Sequence, residues 1–196
     1  MFKSLCRTFF MAVCVAALLG GGVQPSTAAE SKQYKRSVEK YQIPDVSLIN
    51  QEGKSVRLRS LLESDKPVIV DFIYGTCTTI CPVLSAGFVN LQQKTGAASK
   101  NVRLVSISID PENDSPRVMR DYLKRYRAKP GWDFLTGSRR DIDTVMKAFD
   151  AYIPNKMSHY AVTFIHTPGS TNWVRINGIM STNEFISELK QVGVTF

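Results

Sequence analysis

Histidine is almost missing from this chain: its 196 residues hold two, His159 and His166. Cysteine is scarce as well. Of four, Cys6 and Cys14 lie within the first 29 residues, leaving Cys77 and Cys81 beyond them. A single close pair excludes a disulfide scaffold, which needs several spaced bridges. Asp and Glu are absent from positions 1–29, and no apolar run reaches the roughly 20 residues that a spanning helix requires. There is no internal repeat and no low-complexity tract, so solenoids and disordered arrays are excluded.

The acid-free start carries Lys3 and Arg7, then an apolar run from Phe9 to Leu19, then Ser26-Thr27-Ala28-Ala29. This is the pattern of a secretory signal peptide over residues 1–29, cleaved before Glu30. The alternative is an uncleaved membrane anchor. No cysteine follows the run closely, so a lipid-attached N-terminus is not indicated. Removing 29 of 196 residues leaves 167, one domain with enough chain for a core. The net charge of +8 falls to +6 once Lys3 and Arg7 are gone. Export to the periplasm argues against nucleic acid as a partner. An acidic protein, an anionic membrane surface or simple solubility fits the charge instead.

Residues 30–44 are polar and read as an N-terminal arm, followed by a domain over 45–196. Val46–Ile49 and Ser55–Leu58 flank Asn50-Gln51-Glu52-Gly53-Lys54, a hairpin signal. Pro67–Tyr74 and Val102–Ile109 are apolar runs expected to form buried strands. Val83, Leu84, Phe88 and Leu91 recur at helical spacing. Ser115-Pro116 opens another helix, with Arg117, Arg120, Lys124 and Arg127 as a basic face. Trp132–Leu135 predicts a strand and Arg140–Tyr152 a helix. Tyr160–His166 and Trp173–Ile176 predict a hairpin, and Ser181 caps a last helix to about Val192. The sum is an α/β domain with a mixed sheet.

Cys77 and Cys81 follow the first buried strand through Tyr74-Gly75-Thr76, and Pro82 comes next. A thiol pair at the end of a strand, opening a helix, is the thioredoxin arrangement. The unpaired amides of a helix N-terminus favour thiolate there. Thioredoxins place two residues between the thiols; this chain places three. Residues four apart on a helix have β-carbons about 5–6 Å apart, whereas a disulfide wants about 3.8 Å. A bridge still forms if Cys77 precedes the helix, and a metal ion tolerates the wider gap. Zinc asks for a fourth ligand. Copper(I) is satisfied by two thiolates and one imidazole. A histidine beside a strand can equally be structural.

In order and spacing, the segments Phe72–Pro82, Val105–Asp114, Trp132–Gly137 and His159 leading to Thr167-Pro168-Gly169 resemble the Sco/SenC family of thioredoxin-fold copper proteins. The resemblance covers roughly Ile43 to Val192. It implies a thioredoxin-like fold: a central mixed β-sheet flanked by helices, with an N-terminal β-hairpin extension. It implies that Cys77 and Cys81 are copper thiolates that also form a disulfide, and that His159 is the imidazole ligand. Asp110 resembles an acidic residue near the metal, either an extra copper(II) ligand or a partner of the ligands; Asp-Pro is also a common turn. His166 matches no family ligand. The family commonly has aspartate directly before the histidine, where this chain has Ser158, and that predicts weaker copper(II) binding. Met157 offers a thioether whose expected role is packing. The implied function is a metallochaperone carrying Cu(I) or Cu(II) to the binuclear copper site of cytochrome c oxidase subunit II or a related oxidase. A thiol reductant and another copper carrier would serve it, and contact with the membrane would come only through a partner or an uncleaved signal. The alternatives are a thiol–disulfide oxidoreductase, or a redox or copper sensor, using the same pair.

Overall fold

The computed structural model describes residues 33–196; the signal peptide expected over 1–29 lies outside them. In chain order the elements are β1 (Tyr34–Glu39), β2 (Ser47–Asn50), β3 (Ser55–Arg57), α1 (Leu58–Leu62), β4 (Val68–Ile73) and α2 (Ile80–Thr95). They continue with β5 (Arg103–Ser108), α3 (Pro116–Arg125), β6 (Trp132–Thr136), α4 (Arg139–Ala148), β7 (Val162–His166), β8 (Trp173–Gly178) and α5 (Thr182–Gln191). The strands form one sheet of order β1-β8-β7-β4-β5-β6-β2-β3. β4 runs parallel to β5 and β5 to β6, while β7 lies antiparallel on the other side of β4. This is the expected mixed sheet, with β4 and its thiol-bearing connection at the centre.

Every residue of β4 is buried, because helices cover both of its faces. On one face Phe72 meets Phe149 and Phe164 edge-on, at 5.7 and 5.8 Å between centroids. On the other, Phe88 of α2 packs on Trp132 of β6 and Phe185 of α5. Tyr122 of α3 meets Phe134 and bonds Ser85 of α2 through their hydroxyls at 2.7 Å. Asp71 points to this second side, since its charge acts on both Tyr122 and Cys81.

The hairpin forms as read. Ser47 to Ile49 pair with Arg57 to Ser55, around a turn in which Gly53 takes φ +78°. The segment read as a polar arm carries β1, paired antiparallel with β8 from Tyr34↔Gly178 to Glu39↔Trp173. An edge strand turned to solvent needs no apolar alternation, so its sequence looks like a linker. What fastens it is remote. Tyr34 Oη donates to Glu188 Oε1 at 2.5 Å, and Arg36 Nε to Glu188 Oε2 at 2.8 Å, on a Glu188 side chain fully buried in α5.

α4 stops at Ala148, short of the expected Tyr152. Asp150 adopts φ +50°, and Arg175 of β8 donates to the carbonyls of Phe149 and Asp150 at 2.9 and 3.1 Å. Those bonds satisfy orphan carbonyls that end the helix. The last helix begins as predicted, with Ser181 and Glu184 forming a capping box. Arg117, Arg120 and Lys124 are exposed on α3, while Arg127 lies past its end. The short α1 and a 3-10 turn over Gly96–Asn101 carried no sequence signal long enough to read.

Candidate functional site

β4 delivers the chain into a tight loop, Tyr74 to Thr79, before α2 starts. The loop is anchored from the end of the neighbouring strand β5 and the connection that follows it. Gly75 N–H donates to both oxygens of Asp114 at 3.1 Å, and Ser108 Oγ donates to the same carboxylate at 2.5 Å. A β-carbon at Gly75 would stand 2.7 Å from Asp114 Oδ1 and 3.0 Å from Val118 Cγ1. Only glycine fits between the strand end and that carboxylate. Gly75→Ala is therefore expected to cost about 1–3 kcal/mol through overpacking, read as a lower denaturation midpoint; an unchanged midpoint would show that the loop is not held this way.

Cys77 sits in the loop, its amide donating to the Tyr74 carbonyl at 3.2 Å. Cys81 sits in the first turn of α2 and is fully buried, while Cys77 is 7% exposed; both thiols are free. The residue before the helix, Thr79, makes no side-chain cap. The Cys77 sulfur takes that place, accepting the Cys81 amide at 3.4 Å. Burial works against ionisation of Cys77. The Cys81 thiol, the Cys81 and Thr79 amides and the Thr79 hydroxyl outweigh it and bring the thiol down to about 7. Burial pushes Cys81 the other way, and the neighbouring Cys77 sulfur adds to the rise. The pair thus holds one acidic and one reluctant thiol.

His159 follows a 3-10 turn over Lys156–Ser158 rather than opening β7. Its ring stands edge-on to Tyr74, with centroids 6.4 Å apart. Its Nε2 is buried and has no hydrogen-bond partner. Burial lowers its pKa to about 4, against an opposing hydrogen bond to the Phe72 backbone. The imidazole is therefore neutral at physiological pH, with an unused lone pair in a buried setting. Tyr74 links the parts. Its hydroxyl donates to Met157 Sδ at 3.8 Å; burial raises its pKa to about 12, and the Cys77 side chain adds to the rise.

Asp110 is buried, and its carboxylate is engaged by Lys156 Nζ at 2.5 Å and Asn113 Nδ2 at 3.0 Å. Through Lys156, which also lies 5.4 Å over the Tyr74 ring, it ties down the segment carrying His159. As placed, no three His, Cys, Asp or Glu side chains among the described residues stand close enough to hold one ion. His166 is remote from the site's chemistry: it stacks on Trp173 at 4.6 Å, with Nε2 2.9 Å from the Ser170 carbonyl. Sequence reasoning missed Tyr74, Lys156, Asp114 and Asp71. Asp71 alone had a readable signal, a carboxylate inside an apolar run.

A mixed sheet whose central strand hands a dithiol to the start of the next helix defines a thioredoxin-like protein. The SCO1/SenC family model matches residues 35–192, and the chain belongs to that family. The SCO1 protein homolog of Bacillus subtilis is 32% identical over 160 residues, covering 76% of this chain and 82% of the relative. Other curated relatives are longer, and the chain spans about half their length or less. The structure of BsSco, described as a member of the Sco family of cytochrome c oxidase assembly proteins with a disulfide switch, superposes with TM-score 0.66 at 31% identity. That match covers 79% of this chain and 95% of the other. Arabidopsis thaliana ScoI with copper bound superposes with TM-score 0.58 at 27% identity, over 74% and 96% of the two chains.

Proposed function

We propose that this protein is an exported copper carrier that delivers the ion to the binuclear site of cytochrome c oxidase subunit II or a related respiratory oxidase. The observation that carries the reading is the donor set: two thiols, one poised to ionise, and a neutral imidazole, packed on Tyr74 of the thiol loop, whose buried Nε2 has no partner. A buried polar atom left unpaired costs stability and calls for a role. Soft thiolates with one imidazole suit copper(I). Related proteins described as copper-bound and as oxidase assembly factors support the assignment.

Cys77, Cys81 and His159 would hold the ion. They do not converge as placed, so taking it requires a shift of the thiol loop, of the segment from Asn155 to His159, or of both. The Lys156–Asp110 ion pair and the Tyr74 contacts restrain that movement. Asp110 then serves the site by holding this segment, and its role as a copper(II) ligand rests on the family resemblance alone. Ser158, exposed in the turn, supplies no charge beside the imidazole, which favours copper(I) as the cargo. A thiol reductant must keep the pair open, and a second carrier must supply the ion. Export through a signal peptide over 1–29 would place the protein in the periplasm.

Titration of the reduced protein with copper(I) tests this. The expected result is one ion per chain, with His159→Ala binding at least about tenfold more weakly. No binding, or binding unchanged in His159→Ala, would sink the reading. The unequal thiols favour one second reading, a thiol–disulfide oxidoreductase in which Cys77 attacks and Cys81 resolves. In that case His159→Ala keeps reductase activity and Cys77→Ser loses it.

A further inference from the structure

The sulfur of Met157 is out of place for a methionine. The residue is 74% exposed, whereas Met119 and Met146 are buried in the core. Packing, the role expected from sequence, is not what it does. Nor is it loosely hung. Met157 N–H donates to Asn155 Oδ1 at 3.0 Å, Ser158 N–H to the Asn155 carbonyl at 2.9 Å, and His159 N–H to the Lys156 carbonyl at 3.1 Å. The preceding Lys156 is fixed on Asp110. A thioether is thus displayed to solvent by a well-bonded turn, two residues before the orphaned imidazole. Its inner side rests on the Tyr74 hydroxyl, 3.8 Å from Sδ, and Tyr74 belongs to the thiol loop, its carbonyl accepting the Cys77 amide at 3.2 Å.

We propose that the Met157 thioether is an outer ligand for copper(I), taking the ion from its donor and passing it to Cys77, Cys81 and His159. The proposal rests on the copper reading above. A thioether is soft enough for copper(I). It carries no proton to lose and no charge, so it binds weakly and releases readily. The buried thiols are strong ligands that a bulky donor cannot reach. Transfer is ligand exchange: a bond from copper to Met157 sulfur forms as a bond to the donor breaks, then yields to a bond from Cys77. Copper stays in its +1 state throughout, and the proton leaving the Cys77 thiol goes to water.

The test has two arms. In the first, copper(I) held by a chromophoric chelator is mixed with reduced protein, and loading is followed by loss of the chelator's colour. Met157→Leu, which keeps the shape and removes the sulfur, is expected to load about tenfold more slowly than wild type. Equal rates overturn the outer-ligand role while leaving the copper reading intact; a wild type that takes no copper overturns both. In the second, methionine methyl groups are labelled with carbon-13 in Cys77→Ser/Cys81→Ser. Copper(I) is expected to shift the Met157 methyl resonance, and an unmoved resonance rejects capture at this sulfur.

Discussion

Reduced protein treated with iodoacetamide at pH 7 is expected to be modified at Cys77 and spared at Cys81, with rates apart by at least about fiftyfold. The thiolate is the nucleophile, so the fraction ionised sets the rate. Cys77 is brought down to about 7, which makes half of it thiolate at that pH. Cys81 is raised above its ordinary value of 9.0 by burial and by the Cys77 sulfur, leaving under about 1% ionised. Access acts in the same direction, because Cys81 is fully buried at the start of α2. Peptide mass spectrometry reads the outcome, and the Cys77 rate should rise through a midpoint near pH 7. Equal labelling, or earlier labelling of Cys81, would show that the loop does not polarise the pair. For copper uptake or a mixed disulfide, the order follows. Cys77 engages first, and Cys81 joins once its proton can leave.

That asymmetry was only half legible in the sequence. The cysteine spacing and the apolar run before it announce a thiol pair at a strand-to-helix junction, because both signals are local. β4 and β5 were readable for a related reason: strands buried on both faces write largely apolar runs. β1 was not, since it lies at the sheet edge and is fixed by Glu188 from the other end of the chain. The end of α4 was not, since its cap is the guanidinium of Arg175, on β8. The same holds at the site. Cys77, Cys81 and His159 came from spacing and family pattern. The contacts of Tyr74 with Lys156 and with the outward Met157 arise only when the segment after Pro154 is laid against the end of β4. Contacts between residues more than eighty positions apart, such as Tyr74 with Met157, leave no local mark.

Asp71→Asn is expected to stabilise the protein above pH 7 by up to about 4 kcal/mol, with little difference from wild type near pH 4. Asp71 is wholly buried on the central strand, and neither carboxylate oxygen completes a well-formed hydrogen bond. Burial raises its pKa from 3.8 to about 7, with the Ser106 hydroxyl giving slight relief. The folded state therefore binds a proton that the unfolded chain releases at lower pH. Stability falls as pH rises between those two values, by about 1.4 kcal/mol per unit, and levels off above the higher one. Asparagine keeps the shape of the protonated acid and cannot ionise. The lowered pKa values of His159 and Cys77 act in the opposite direction. Both are common to wild type and variant, so the difference between the two denaturation curves isolates Asp71. A difference that does not grow with pH would sink the argument. The same substitution reaches the thiols: the Asp71 charge adds to the rise of Cys81, so the variant should also narrow the reactivity gap between the two cysteines.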